Sequence, residues 1–318
     1  MAVARGAVGS KAASFQAFNG KLLDGWLRCL AYFWGRFRQT PLREIVLFGL
    51  LFLRHLPSVF KLLMVKHRNS DVLIKARPEI LEFIYSPYLA ANWSVQNRVD
   101  RIIDHCRTVN RIGGIIDFMP DRVIDVIHLH PIDVQYRITL DQARWFLRDG
   151  QLVISLWHGV DRLYSISFCL SSQDDDLKAF IGGIQGRAGP DMLDRYRDFT
   201  KQSFGMRPSD FLIEVFKMFC RAINVTEIHA VSDENHQSTR SASSTPVAIG
   251  PIRLSYDKIW IDRGGLYGGR GFFVLPVAEY RRADENIPAK KRAVYRKRYQ
   301  MMALVDQQLT RAVKGHYP

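Results

Sequence analysis

The chain has few cysteines, no long apolar run and no internal repeat. Its 318 residues include four cysteines, widely spaced and without a C-x-x-C pair, which excludes a disulfide scaffold and predicts buried thiols in a reducing compartment. The most apolar run, Ile45 to Leu53, has nine residues, whereas crossing a bilayer takes ~20. No apolar segment of ~7–15 residues follows Arg5 and Lys11, as a signal peptide would require. We therefore expect neither a membrane span nor a signal peptide, and a cytoplasmic location.

The motifs of several enzyme classes are missing as well. The sequence has no G-x-S-x-G, Walker A or G-x-G-x-x-G pattern. Among nine histidines, His128 and His130 share one face of a predicted strand, but no third ligand stands at a suitable spacing. We interpret the histidines as structural or solvated side chains and predict no metal site.

The net charge of +14 is concentrated at the two ends of the chain. Residues 1–70 carry 11 basic and 2 acidic side chains, residues 281–318 carry 10 and 3, and the middle is close to neutral. A basic end meets an anionic partner, which can be a lipid head group, a nucleic acid or an acidic protein. The chain has no recognisable motif for DNA or RNA binding, so nucleic acid is the least favoured of the three.

The amino-terminal region, residues 1–112, is predicted to be helical and basic. Apolar residues recur at helical spacing over 22–37, a second helix begins at Pro41 and is broken by Pro57, and an apolar, basic piece runs from Val59 to Arg68. Two interpretations remain open. Trp, Phe and Leu opposite Arg and Lys are typical of a helix on a membrane surface, and the same stripe suits packing on the protein's own core.

Residues 113–318 are predicted to form an α+β sheet domain, with a mainly antiparallel mixed sheet flanked by helices. The links 159–161 and 174–176 are too short for crossover helices, so 152–185 should form an antiparallel meander. Asn92 is expected to cap a helix that ends at Gly113. The predicted strands are 123–129, 134–138, 152–157, 163–170, 178–185, 227–232, 252–261 and 271–277, the last two joined by a glycine-dense turn. Predicted helices are 142–148, one carrying Arg195, one starting at Pro208 and one closing the chain from Pro288, and 237–250 is predicted to be a loop.

Acids and histidines at strand ends are candidates for general acid–base chemistry. His158 follows the predicted strand 152–157, and Asp233, Glu234 and His236 follow the predicted strand 227–232. The alternative is structural: Asp233 and Asn235 make a turn and His236 is solvated.

A basic stretch is the candidate anion site. Gln185, Arg187, Lys201 and Arg207 precede or flank the helix that starts at Pro208. Free N–H groups at a helix start and nearby guanidinium groups can bind a phosphate or pyrophosphate. The alternative is an ordinary basic loop paired with the neighbouring aspartates.

Five of these stretches, in this order, resemble the VirK/YbjX family of proteobacterial proteins across roughly residues 25–315. They are ISLWHGVDRLYSISF (154–168), FIGGIQG (180–186), FGMRPSDFLIE (204–214), AVSDENH (230–236) and IPAKKRAVYRKRY (287–299). That family has no established biochemical activity. It is associated with properties of the Gram-negative envelope, virulence and resistance to cationic peptides, so the resemblance implies that setting.

The order of predicted elements over 152–232 also resembles the core of GNAT-type acyl-CoA transferases. The resemblance implies an acyl or aminoacyl transferase acting on an envelope component, with an acyl-CoA or aminoacyl donor. Asp233, Glu234 and His236, with His158, would supply the base that deprotonates an amine. The donor phosphate would be held by Gln185, Arg187, Lys201 and Arg207.

The rival hypothesis is a non-catalytic accessory protein that binds the membrane surface or an envelope client. The stretch Lys290–Arg298 holds six basic residues in nine. Together with the aromatic and basic residues of 22–68, it predicts peripheral association with the cytoplasmic face of the inner membrane, through charges each worth on the order of 1 kcal/mol.

Overall fold

The computed structural model of the chain describes residues 27, 31, 34–35, 42–65, 73–173, 176–237, 255–279 and 281–316. The predicted helix 22–37 and the predicted loop 237–250 fall almost entirely outside these residues. The described part of the chain divides into two units. One contains the described residues up to 86 together with 94–110, and the other contains 87–93 together with the described residues from 111 onward.

The first unit is helical. Its elements are α1 (Leu42–Arg54), α2 (Leu56–Leu63), α3 (Leu73–Ala76), a 3-10 segment (Pro78–Ile84) and α4 (Val95–Ile112). Pro57 falls in the first turn of α2, where its missing N–H is not needed, so the predicted break between two helices is confirmed. The core includes Val59 and Leu62 of α2 and Val99, Ile102 and Cys106 of α4.

The expectation that Asn92 caps α4 is wrong. Ser94 is the cap, because its Oγ accepts a hydrogen bond of 3.2 Å from the backbone N–H of Asn97. Asn92 instead donates its backbone N–H to Oδ1 of Asn235. Both residues are good cap formers, and only the position of the first helical turn distinguishes them. The helix ends before Gly113, which has a φ of 67°, as predicted.

The second unit is built on one mixed sheet with strand order β1-β2-β3-β4-β5-β6-β8-β7. Its strands are β1 (Ile124–His128), β2 (Tyr136–Asp141), β3 (Leu152–His158), β4 (Asp161–Gln173), β5 (Asp176–Gly186), β6 (Glu227–Val231), β7 (Leu266–Gly269) and β8 (Phe272–Leu275). Strands β1 to β5 form an antiparallel meander, β5 and β6 are parallel, and β8 is antiparallel to both β6 and β7. The predicted α+β class and the meander are confirmed.

Helices α5 (Met192–Gln202), α6 (Pro208–Ala222), α7 (Tyr256–Ile261) and α8 (Arg292–Lys314) accompany the sheet. Phe168 of β4 packs against Phe216 and Phe219 of α6, with ring centroids 4.8 and 6.1 Å apart. Residues paired across neighbouring strands point to the same face. The buried row Leu140, Ile154, Ile166 and Ile184 therefore forms the apolar face of the sheet.

The predicted strand 252–261 is wrong, because residues 256–261 form helix α7. Ser255 caps this helix by accepting from the N–H of Lys258 at 3.3 Å. The carboxylate of Asp233 accepts from the N–H of Tyr256 at 2.7 Å, and Trp260 is fully buried. The glycine-dense stretch also differs from the predicted turn, since part of it is β7, which turns into β8 at Arg270 and Gly271 with φ of 55° and 79°.

Candidate functional site

The parallel strands β5 and β6 separate part of the way along β5. They pair over four residues, from Lys178 opposite Glu227 to Ile181 opposite Ala230. Beyond that point β5 continues to Gly186, and its described strand partner there is β4 alone. We call the place where the two strands part the fork. The backbone of β5 from Gly182 to Gly186 therefore has hydrogen-bonding groups on its β6 side that no described strand satisfies.

Asp149 lies directly on β5 at the fork. The 3-10 segment Arg144–Asp149 ends here, and a Cβ on Gly183 would stand 2.8 Å from Oδ1 of Asp149. A Cβ on Gly182 would fall on the backbone of Asp149. Two consecutive glycines thus allow the aspartate to approach the strand closely.

The carboxylate of Asp149 is buried and hydrogen-bonded. Nε2 of His236 donates to Oδ1 at 3.0 Å, and Nε2 of Gln237 donates to Oδ2 at 2.5 Å. Burial raises the pKa of Asp149, and the two hydrogen bonds oppose that rise. The arrangement orients the imidazole of His236 and defines which of its nitrogens carries the proton facing Asp149.

Tyr256 completes the group. Its ring stacks on His236 with centroids 4.5 Å apart. Its hydroxyl donates to the carbonyl of Ile184 at 3.2 Å and accepts from the N–H of Ile184 at 3.3 Å. Burial raises the pKa of Tyr256, so the hydroxyl stays protonated over the physiological range. Asp149, His236 and Tyr256 are called the fork cluster below.

The predicted catalytic residues Asp233, Glu234 and His236 follow β6, and of these His236 belongs to the fork cluster. Asp233 binds the start of α7 through the N–H of Tyr256. Asn235 is buried, and its side chain fills the space where a Cβ on Gly271 would lie. Glu234 is exposed, with Oε1 accepting from the hydroxyl of Tyr267 at 2.9 Å. The turn foreseen as the structural alternative is present as a 3-10 turn, and His236, which follows it, contacts Asp149 rather than being fully solvated.

His158 belongs to a second group at the end of β3. Its ring packs on Tyr136 with centroids 4.4 Å apart, and Arg195 donates to its Nδ1 at 3.3 Å. Asp161 forms ion pairs with Arg187 at 3.0 Å and with Arg195 at 2.8 Å. Three strand spacings of ~4.8 Å lie between β3 and β6. His158 is therefore placed with Arg187, whereas His236 is placed with Asp149.

The predicted anion-site residues are spread over three places. Gln185 and Arg187 lie at the fork end of β5. Lys201 is exposed near the carboxyl end of α5, ~13 Å along the helix axis from its first residue. Arg207 is exposed immediately before α6. The structure thus brings Gln185 and Arg187 near the start of α5, and places Lys201 and Arg207 toward its other end.

Sequence reasoning missed two members of the fork cluster, Asp149 and Tyr256. Asp149 is separated from His236 by 87 positions, and the predicted strand 252–261 concealed the helical position of Tyr256. One signal was available. The pair Gly182-Gly183 interrupts an otherwise apolar strand, and glycine inside a strand marks a close approach of another backbone or a ligand. Within the described residues, no group of three His, Cys, Asp or Glu side chains is arranged to hold a metal ion.

The chain is similar in sequence to proteins that have no assigned activity. The family model described as "Protein of unknown function (DUF535)" matches residues 42–311. The uncharacterized protein YbjX of Escherichia coli is 26% identical over 255 residues, covering 78% of this chain and 76% of the relative. Two uncharacterized proteins of Haemophilus influenzae are 32% identical over 157 residues (47% of this chain, 49% of the relative) and 25% identical over 246 (74% and 80%). The family match contains the whole fork cluster.

Proposed function

We propose that this chain is an acyl or aminoacyl transferase. It belongs to the DUF535 family of proteins of unknown function, which confirms the VirK/YbjX resemblance. Its chemistry would take place at the fork cluster. The substrates are a donor that carries a phosphate group and an acyl ester or thioester, and an acceptor amine of an envelope component.

The observation that carries this proposal is the fork itself. An otherwise antiparallel sheet contains one parallel pair, and that pair separates after Ile181. An extended donor arm with amide groups can bind β5 beyond Ile181, where no described strand pairs with it on the β6 side, in the manner of an added strand. Such an arm would compete with the Tyr256 hydroxyl for Ile184. From Gly182 to Arg187 the strand and its extension span ~17 Å, so a donor phosphate at Arg187 and a reacting ester at the fork cluster are compatible with one extended molecule.

The fork cluster has the groups that acyl transfer to an amine requires. With Nε2 of His236 donating to Asp149, Nδ1 is the ring atom that accepts the proton from the attacking amine. The amine nitrogen forms a bond to the acyl carbonyl carbon, and the bond from that carbon to the leaving sulfur or oxygen breaks. The leaving sulfur or oxygen takes the proton that Nδ1 of His236 has received, while the Tyr256 ring stacks on the imidazole and holds it in place. This transfer returns His236 to its starting state, and Tyr256 stays protonated throughout.

The predicted site residues take different parts in this proposal. Asp233 acts as a positioning residue because it holds the first turn of α7 and therefore Tyr256. Arg187 serves the donor phosphate, in keeping with the anion site predicted from the sequence. Catalytic roles for His158 and Glu234, and donor binding by Gln185, Lys201 and Arg207, stay predictions.

Donor binding and transfer can be tested separately. A thermal-shift series with acetyl-CoA, long-chain acyl-CoA and aminoacyl donors should show a rise in Tm for at least one donor. Thiol release from that acyl-CoA, or loss of the aminoacyl ester, is then measured with phosphatidylethanolamine vesicles as the amine. His236→Gln should retain donor binding and lose ~10²–10⁴-fold in transfer rate. His130→Gln, at an exposed histidine in the turn that follows β1, is the matched control. The proposal is wrong if no donor stabilises the protein, or if both variants transfer equally well.

A second candidate function is binding to an anionic membrane surface, favoured by one face of α1. Four large apolar residues on that face are between 55% and 75% exposed, with Arg43 and Arg54 exposed beside them. They are Leu42, Val46, Leu50 and Leu53. Burying a leucine side chain is worth ~1.5–3 kcal/mol, so an interface would recover several kcal/mol from this stripe. No described helix combines the length and apolar character that a bilayer crossing requires.

Flotation with anionic and neutral vesicles tests this second function. Anionic vesicles at low salt should recover more protein, and ~1 M salt should reduce the recovery because the Debye length falls to ~3 Å. Leu50→Asn should weaken the recovery. Leu193→Asn changes a leucine of matched exposure, 65% against 61%, on a different helix and should not. Equal recovery of the two variants, or equal recovery with neutral vesicles, contradicts the assignment.

A further inference from the structure

A cavity of about 330 Å³ opens on the outer face of α8, outside the fork cluster. It is lined by Arg281, Arg292, Arg296, Tyr299, Gln300 and Ala303. The five helical residues recur at the spacing of one helix face. The opposite face of α8 is buried through Val305, Leu309 and Val313. The cavity is therefore a solvent-facing depression between α8 and the segment that follows β8.

Two of the three arginines are held in position through Nε. Arg281 donates from Nε to Glu279 at 2.9 Å, and its guanidinium lies 5.3 Å from the centroid of the Tyr299 ring. Arg292 donates from Nε to the carbonyl of Ile287 at 3.2 Å. A guanidinium fixed at Nε still presents both terminal nitrogens, and this pair of donors matches two oxygens of a phosphate.

The charges of the cavity are only partly compensated. Glu279 pairs with Arg281, and among the described residues no carboxylate pairs with Arg292 or Arg296. Two positive charges therefore remain at a depression whose volume is at the lower end of the range for small-molecule sites, ~300–1,000 Å³. Ala303 contributes a short side chain that leaves room for a ligand. A small dianion satisfies both the charge and the volume.

We propose that this cavity binds a phosphomonoester group, with Arg292 and Arg296 contacting its oxygens and Arg281 completing the site. The cavity is separate from the donor site of the proposed transferase. Strand β8 runs antiparallel to β6 and ends at Leu275 beside Ile228, near the start of β6, whereas the fork lies beyond the other end of β6. The phosphomonoester can come from a soluble metabolite or from a lipid head group, and the experiment distinguishes the two.

Glycerol 3-phosphate is the soluble probe, and its binding to the full chain is measured by calorimetry. Arg296→Gln should weaken binding by ~10-fold or more, the loss expected for a charge-assisted hydrogen bond. Lys297→Gln removes the same charge from the next residue, which is exposed and does not line the cavity, and should change binding less than ~2-fold, as screening of an exposed charge implies. Both residues are exposed, so both variants should keep the wild-type Tm.

The lipid probe is a vesicle containing phosphatidic acid, compared with phosphatidylglycerol vesicles of matched surface charge. Preference for phosphatidic acid that depends on Arg296 supports the site with a lipid source, and binding of glycerol 3-phosphate without that preference supports it with a soluble source. The proposal is overturned if the two variants weaken binding equally, because diffuse charge then explains it. It is also overturned if neither the soluble phosphate nor the phosphatidic acid vesicles bind in an Arg296-dependent way.

Discussion

Replacing Asp233 tests whether this carboxylate positions the fork cluster or takes part in its chemistry. Oδ1 accepts from the N–H of Tyr256 at 2.7 Å, and Oδ2 accepts from the hydroxyl of Ser255 at 2.8 Å and the N–H of Asp257 at 3.4 Å. In turn, Oδ1 of Asp257 accepts from the backbone N–H of Asp233 at 2.7 Å. Asp233→Ala removes the three acceptor interactions together and leaves the first turn of α7 without its distant cap.

The size of the effect follows from these contacts. Losing a helix cap costs about 0.5–2 kcal/mol, and a hydrogen bond to a charged group contributes about 1.5–3 kcal/mol. The donors are half-buried or exposed, so water replaces part of what is lost. We therefore expect Asp233→Ala to lower the free energy of unfolding by about 2 kcal/mol. Asp233→Asn keeps one acceptor oxygen and is an equally good cap, so it should cost less than about 1 kcal/mol.

Urea unfolding followed by tryptophan fluorescence measures both variants. Trp260 of α7 is buried and donates from Nε1 to the carbonyl of Val231 at 2.8 Å, so its environment reports on this helix. Asp262→Ala is the matched control, because Asp262 is an exposed carboxylate at the opposite end of α7. Its loss should change the free energy of unfolding by less than about 0.5 kcal/mol.

Two outcomes would refute the positioning argument. One is an Asp233→Asn variant as unstable as Asp233→Ala, and the other is an Asp233→Ala variant as stable as the control. A stable Asp233→Asn variant that binds donor and fails in transfer would instead return Asp233 to the role of proton acceptor, because an amide preserves the cap and cannot take a proton at physiological pH.

Three further predictions concern pH, thiol reactivity and capping. Burial raises the pKa of Asp149, so the folded state retains a proton that the unfolded chain loses near pH ~4. The free energy of unfolding should therefore fall as pH rises above ~4 and through the raised pKa. Asp149→Asn should flatten that fall in urea titrations, whereas an unchanged slope would contradict the assignment. Burial raises the pKa of Cys106 to about 12, so in a Cys29→Ser variant its thiol should react with a thiol reagent at pH 8 only after unfolding; prompt reaction in the folded state would argue against the buried position. Ser94→Ala should cost ~1 kcal/mol of stability while Asn92→Ala costs less than ~0.5, and the reverse order in urea unfolding would restore Asn92 as the cap.

Local signals were sufficient for much of the fold. The short links at 159–161 and 174–176 leave no room for crossover helices, which makes the meander from β3 to β5 a consequence of chain length alone. Pro208 followed by Phe211, Leu212 and Val215 marked the start and the buried face of α6, because proline suits a first helical turn and the apolar spacing matches the helical period. In each case the deciding residues are neighbours in sequence.

Long-range contacts decided the rest. Beside its local cap Ser255, the first turn of α7 is held by Asp233, 23 positions before Tyr256. The short sequence of the helix, with two isoleucines, indicated a strand because it does not show this distant contact. Arg187 and Arg207 belong to one basic stretch of the sequence, but helix α5 lies between them. They are separated because an α-helix advances about 1.5 Å per residue.

The sequence by itself determined which residue types were present, where the turns fell and that the sheet was mainly antiparallel, because these depend on spacing along the chain. It also indicated that histidine and acids follow the strand that precedes residue 233. Only the tertiary structure decided that His236 faces Asp149 and Tyr256 at a fork between β5 and β6. The partners of His236 come from segments 87 and 20 positions away. Strand order, and the glycines that let Asp149 approach β5, determine which of many distant carboxylates a histidine meets.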